Sequence, residues 1–233
     1  MMKINKLRAQ ILFAALTTCV GCASAAADEY LSDVRLGSES VFYHTSADDL
    51  SGPYVPPGVN LRAENLETLY AAYVVHLPAN FAVELAMGYP PLAKIKGQGP
   101  ATVGSVPYNG QVISSARWIA PTLLLEYNFL DASYKWRPYI GVGVNYTTFY
   151  DRDSTAAGNA ASGGPTKLSL TASVGPAGTA GITYRITDRW AAHASYTISQ
   201  VKTNLTADTD GVIRTSRISF GPQVLVISVG YSF

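Results

Sequence analysis

The final ten residues, VLVISVGYSF, alternate without a break. Leu225, Ile227, Val229, Tyr231 and Phe233 fall on one face of an extended strand, and Val226, Ser228, Gly230 and Ser232 on the other. A period of two marks a strand. An apolar face carried up to a closing aromatic suits a strand whose outer solvent is lipid. The same period upstream predicts eight strands: about 34–43, 68–77, 81–89, 121–129, 137–149, 168–184, a seventh from Trp190, and 219–233. In the third, Phe81, Val83, Leu85, Met87 and Tyr89 alternate with Ala82, Glu84, Ala86 and Gly88. Pro176 and Pro222 are expected to mark bulges or lost pairing, because proline donates nothing to a ladder.

Connections alternate in length. Short ones (LPAN, LDASYKW, ITDR) follow strands two, four and six; long ones rich in Gly, Pro, Ser and Asn follow one, three, five and seven. This predicts an all-β fold, an eight-stranded antiparallel transmembrane β-barrel with short periplasmic turns and long external loops. A soluble lipocalin-like barrel would present its polar face to water. Here that face is made of Gly, Ser and Thr instead of Lys and Glu, which favours lipid outside and a polar lumen.

Strand parity and the position of the greasy ends predict two aromatic girdles. Trp190, Tyr184, Phe129, Phe81 and Phe233 are expected at the periplasmic interface, and Tyr89, Tyr146 and Tyr196 nearer the outer boundary.

The first residues read as an export signal. Lys3, Lys6 and Arg8 precede a short apolar run from Ile11 to Val20 and the small residues Ala23-Ser24-Ala25. Residues 1–25 are expected to be removed, with cleavage as late as 27, leaving 26–233 as one barrel domain. Both cysteines, Cys19 and Cys22, lie in that segment, so the mature chain is expected to hold no disulfide. Charged residues make up 14% of the chain and the net charge is +1, which gives no electrostatic case for nucleic acid. The expected location is the outer membrane of a Gram-negative bacterium. The expected partners are membrane lipid, a small hydrophobic ligand, and barrel assembly machinery that reads the strand ending in Phe233.

The run PTLLLEYNF followed by WRPYIGVGVNYTTFYD resembles the OmpW family of small outer-membrane proteins, as do NFAVEL and the VGYSF ending. The resemblance is specific through residues 121–151, and the external loops carry little of it. It implies an eight-stranded barrel and a role in passing small hydrophobic molecules across the outer membrane.

With the greasy faces toward lipid, the opposite faces line the lumen. Arg35, Glu84, Glu126, Arg137 and Arg185, with Glu39 above them, are expected to form a charge network in its lower half. Buried charges are costly unless paired. Above it, Val41, Tyr43, Tyr70, Val74, Leu124 and Val224 are expected to line an apolar pocket. Such a pocket, closed below by ion pairs, favours lateral release through the wall, with Pro176, Gly178 and Pro222 as candidate weak points. Chemistry finds little support. His44, His76 and His193 are scattered, and His193 with Ser195 forms no convergent Ser/His/acid set. Neither an enzyme, a metal site nor a cofactor is expected. The leading reading is facilitated diffusion of hydrophobic molecules; the alternative is a structural or surface-interaction barrel with a closed lumen.

Overall fold

The computed structural model describes residues 32–233. The expected export signal and both cysteines lie outside the described residues. Eight strands make one closed barrel: β1 (Ser32–Tyr43), β2 (Leu66–His76), β3 (Phe81–Gly88), β4 (Thr122–Asn128), β5 (Trp136–Ser154), β6 (Ser173–Arg185), β7 (Trp190–Ser199) and β8 (Pro222–Ser232). Each pairs antiparallel with the next, and β8 returns to β1 with Val34 opposite Tyr231 and Leu36 opposite Val229. Closure leaves the spanning region without an unpaired edge, as a membrane requires.

Burial follows the two-residue period. Leu36, Val142, Val174 and Ile227 are all more than 60% exposed on the outer face, while Arg35, Glu84, Glu126 and His193 are buried inside. Phe81, Phe129, Trp190 and Phe233 are exposed at the ends that carry the short turns. Pairs of rings continue this belt, with Trp136–Tyr184 at 4.4 Å and Trp190–Tyr231 at 5.0 Å between centroids. Tyr89, Tyr146 and Tyr196 are exposed toward the other end. Amphipathic rings at the two interfaces are what a lipid-facing barrel requires.

The fold continues beyond the membrane. β5 is 19 residues long, on the order of 60 Å at about 3.3 Å per residue, where 9–11 residues suffice to cross. Its upper part pairs with Val112–Ile119, which pairs with Leu92–Gln98 and then Asn60–Ala63. A second sheet, Lys167–Leu170, Lys202–Thr209, Val212–Ser219 and Ser46–Ala47, stands opposite. Leu61, Trp118 and Phe149 from the first side join Leu205, Ile218 and Phe220 from the second in one apolar core. The external segments are thus a two-sheet sandwich seated on the barrel. Among the described residues there is a single short helix, α1 (Ala156–Ser162), capped by Thr155, whose Oγ1 accepts from the Gly158 N–H at 3.1 Å.

Two strand boundaries differ from the sequence expectation. The sixth run breaks at Thr171 and Ala172, because Leu168 and Leu170 leave the barrel to pack in the sandwich. The eighth strand begins at Pro222 instead of Ser219, since Ser219 pairs with Lys202 in the outer sheet. Pro176 and Pro222 flank the top of β7, at the ends of its two ladders, where Ala177–Ser199 and Ile198–Gln223 are the last pairs. Both stay paired on their other side, with Val144 and Tyr43. Gly178 is paired on both sides, with Val142 and Ile198, and is no weak point in the ladder.

Candidate functional site in the lumen

The lower lumen is organised around Arg35. Asp33, Val74, Glu84 and Leu124 occupy successive partner positions across β1, β2, β3 and β4, and Arg35 lies at the next inward position of β1. Its Nη1 meets Glu84 Oε2 at 2.5 Å, and the Tyr70 hydroxyl donates to Glu84 Oε1 at 2.9 Å. Arg35 Nη2 is 3.8 Å from both Asp33 Oδ2 and Glu126 Oε2. The guanidinium also lies 5.8 Å from the Tyr139 ring centroid, within cation–π range. Asp33 in turn accepts from Ser232 Oγ at 2.8 Å and stands 3.1 Å from His76 Nε2, which ties β1, β2 and β8 together. One guanidinium therefore faces three carboxylates.

Asp33 is the member of this layer that sequence reading missed, because the first strand was expected to start one residue later. Arg185 was expected in the network and is elsewhere. Its Nη1 and Nη2 donate to the Ala132 and Ser133 carbonyls at 2.8 Å each, so it clamps the β4–β5 turn. Arg137 Nε donates to the Leu130 carbonyl of the same turn at 3.0 Å. The Arg185 side chain has inward parity but reaches downward to the turn instead of up to Glu84. His193 Nδ1 meets Thr183 Oγ1 at 3.0 Å.

Above the charges lies a cavity of about 120 Å³, near the size of apolar cavities of ~150 Å³ that take up benzene. Of the residues expected there, Val41, Tyr43, Tyr70, Leu124 and Val224 line it. Val74 does not. It is fully buried below, opposite Asp33 and Glu84. Glu39 and Glu84 reach the lining as well, Glu84 at the floor where it binds Arg35.

The cavity extends upward between the two outer sheets. Leu61, Trp118, Phe149, Leu205, Ile218 and Phe220 complete its wall, and Phe220 packs 5.9 Å from both Tyr43 and Phe149. Of these, Leu61, Trp118, Leu205 and Ile218 lie in segments read from the sequence as loops, while Phe149 and Phe220 sit at the outer ends of two predicted strands. A usable signal was Asp210-Gly211 between two alternating runs. Both residues take positive φ, 49° and 87°, as a two-residue hairpin turn requires.

The β3–β4 side of the wall is interrupted in the region of the cavity. The β3–β4 ladder stops at Ala86–Thr122 and resumes above at Leu92–Arg117. The segments between contain Pro90, Pro91 and Pro121, none of which can donate to a ladder. Met87, Gly88, Trp118 and Ala120 from this stretch line the cavity, so it reaches the window. Arg117 Nη1 spans the upper edge to the Pro90 carbonyl at 3.0 Å.

Comparison with known proteins places this architecture. The outer membrane protein W of Salmonella typhimurium is 38% identical over 121 residues, covering 52% of this chain and 56% of that protein, so the match spans little more than half of the relative. The Vibrio cholerae outer membrane protein W is 29% identical over 200 residues, covering 86% of this chain and 87% of that one. Among solved structures, the outer membrane protein OprG of Pseudomonas aeruginosa superimposes with a TM-score of 0.78 at 22% identity, over 87% of this chain and 95% of that one. The family model described as the OmpW family matches residues 33–233. An eight-stranded outer-membrane barrel whose sequence fits that model across all but one of the described residues belongs to the OmpW family.

Proposed function

We propose that the barrel lets small hydrophobic molecules cross the outer leaflet region by diffusion. A molecule enters between the two outer sheets, sits in the cavity above Leu124 and leaves sideways into the membrane between β3 and β4. The observation that carries this reading is the join of an apolar cavity to the interrupted β3–β4 ladder, above a floor of charge. Straight passage would force an apolar solute through the Arg35–Glu84 layer, whose polar groups would lose partners they cannot replace. The sideways path leads from one apolar medium to another. In this reading the lumen performs no covalent chemistry. The outer face of β8, ending in Phe233, is in the same reading the surface that lipid and the assembly machinery meet.

Leu124→Asp places an unpaired carboxylate in the cavity lining. At equal surface expression it is expected to lower uptake of a small hydrophobic fluorescent probe several-fold, while Leu124→Met keeps it near the parent level. Equal uptake by all three proteins would sink the transport reading and leave a structural or surface-binding barrel with a closed lumen in its place.

A further inference from the structure

We propose that the cavity selects hydrophobic amines: an apolar chain held by the aromatic wall, with a cationic head on Glu39. The inference rests on the transport reading above and names the substrate class of that cavity. Glu39 lies on β1 opposite Thr68 and Val226 and is 7% exposed. Its neighbours in the lumen explain why it stands out. Asp33, Glu84 and Glu126 all face Arg35, at 3.8, 2.5 and 3.8 Å. Glu39 takes part in none of the hydrogen bonds or ion pairs found among the described residues, yet it lines the cavity. A buried carboxylate with no partner costs far more than one that is paired. A sealed structural plug has no use for one at this height.

The surroundings suit a cation. A β-carbon at Gly88 would overlap Glu39 Oε1, so the absence of a side chain there is what gives the carboxylate its room. Gly88 ends β3 at the window, which puts the carboxylate beside the proposed exit. Tyr43, Trp118, Phe149 and Phe220 stand above it in the same cavity, and aromatic faces attract cations. Below, three carboxylates face one guanidinium. Arg152 also reaches the lining, but it is exposed, lies three residues beyond Phe149 on β5 and makes no ion pair with Glu39. A hydrophobic acid would meet like charge. An alkane would leave the carboxylate unpaired, whereas an ammonium head would give it a charge-assisted hydrogen bond.

The test is a titration of the full barrel in phosphatidylcholine nanodiscs with octylamine, octanol and octanoate, corrected with empty nanodiscs. The parent protein is expected to bind octylamine at least tenfold more tightly than octanol, and octanoate most weakly. Glu39→Gln is expected to erase the gap between amine and alcohol, and Glu39→Asp to retain part of it. Equal binding of octylamine and octanol by the parent protein overturns amine selection and leaves the transport reading standing. So does a gap that survives in Glu39→Gln. Saturable binding of none of the three compounds removes both.

Discussion

Glu84→Ala is expected to cost the folded barrel about 3–5 kcal/mol in a urea titration in phospholipid, the penalty of breaking a buried ion pair from one side. Glu84 satisfies two donors at once, Arg35 Nη1 at 2.5 Å and the Tyr70 hydroxyl at 2.9 Å. Its loss leaves a buried guanidinium with only the carboxylates at 3.8 Å and a buried hydroxyl with no acceptor. Glu126→Gln makes the contrast. Both oxygens of Glu126 are buried and accept no hydrogen bond, and removing its charge relieves the crowding of carboxylates around one arginine. Its expected cost is within about 1 kcal/mol, because no paired group is orphaned. Equal losses in the two variants would contradict an Arg35–Glu84 centre for the layer.

Gly143→Val is expected to cost about 3 kcal/mol or more, at or beyond the usual upper end for overpacking. A β-carbon at Gly143 would overlap the Leu123 carbonyl oxygen and crowd Leu124 Cα. These are backbone atoms of the paired β4 strand and can give way only if the ladder opens. Gly178, on the lipid-facing parity of β6, has nothing nearer than 3.8 Å to such a carbon. Gly178→Ala is therefore expected to stay within about 0.5 kcal/mol of the parent. Heat-modifiable electrophoretic mobility and the urea midpoint report both. A harmless Gly143→Val would mean that β4 and β5 do not approach as closely as this register requires.

The barrel was legible because each spanning strand separates two solvents. Lipid on one face and a crowded polar lumen on the other impose the two-residue period, and the short turns then set the topology. Parity held within the spanning strands, where Arg35, Glu84 and Glu126 point inward and Leu36 and Ile227 outward, but failed at the top of the sixth run, where Leu168 and Leu170 line the cavity and Ser169 is exposed. Height did not follow from parity. Strand tilt shears the rows, so Val74 lies opposite Glu84 below the cavity, and Arg185 turns down to the Ala132 and Ser133 carbonyls. The outer sandwich escaped notice for a different reason. Its strands bury one face against each other through short runs with polar residues between them, and they resemble loops until the partner sheet is known. Leu61, Trp118, Leu205 and Ile218, which help make the cavity apolar at its mouth, came from there.

The claim at the centre is that hydrophobic molecules occupy the cavity itself. Tryptophan emission reads this directly. The sequence holds three tryptophans; Trp136 and Trp190 are exposed in the lipid belt, and Trp118 is buried in the cavity wall. With Trp136 and Trp190 replaced by phenylalanine, a short bromoalkane added to the barrel in nanodiscs is expected to quench Trp118 saturably. Leu124→Asp in the same background should weaken that quenching at least tenfold. Quenching that rises linearly without saturation, as partition into lipid alone would give, and that ignores Leu124→Asp would contradict a molecule in the lumen.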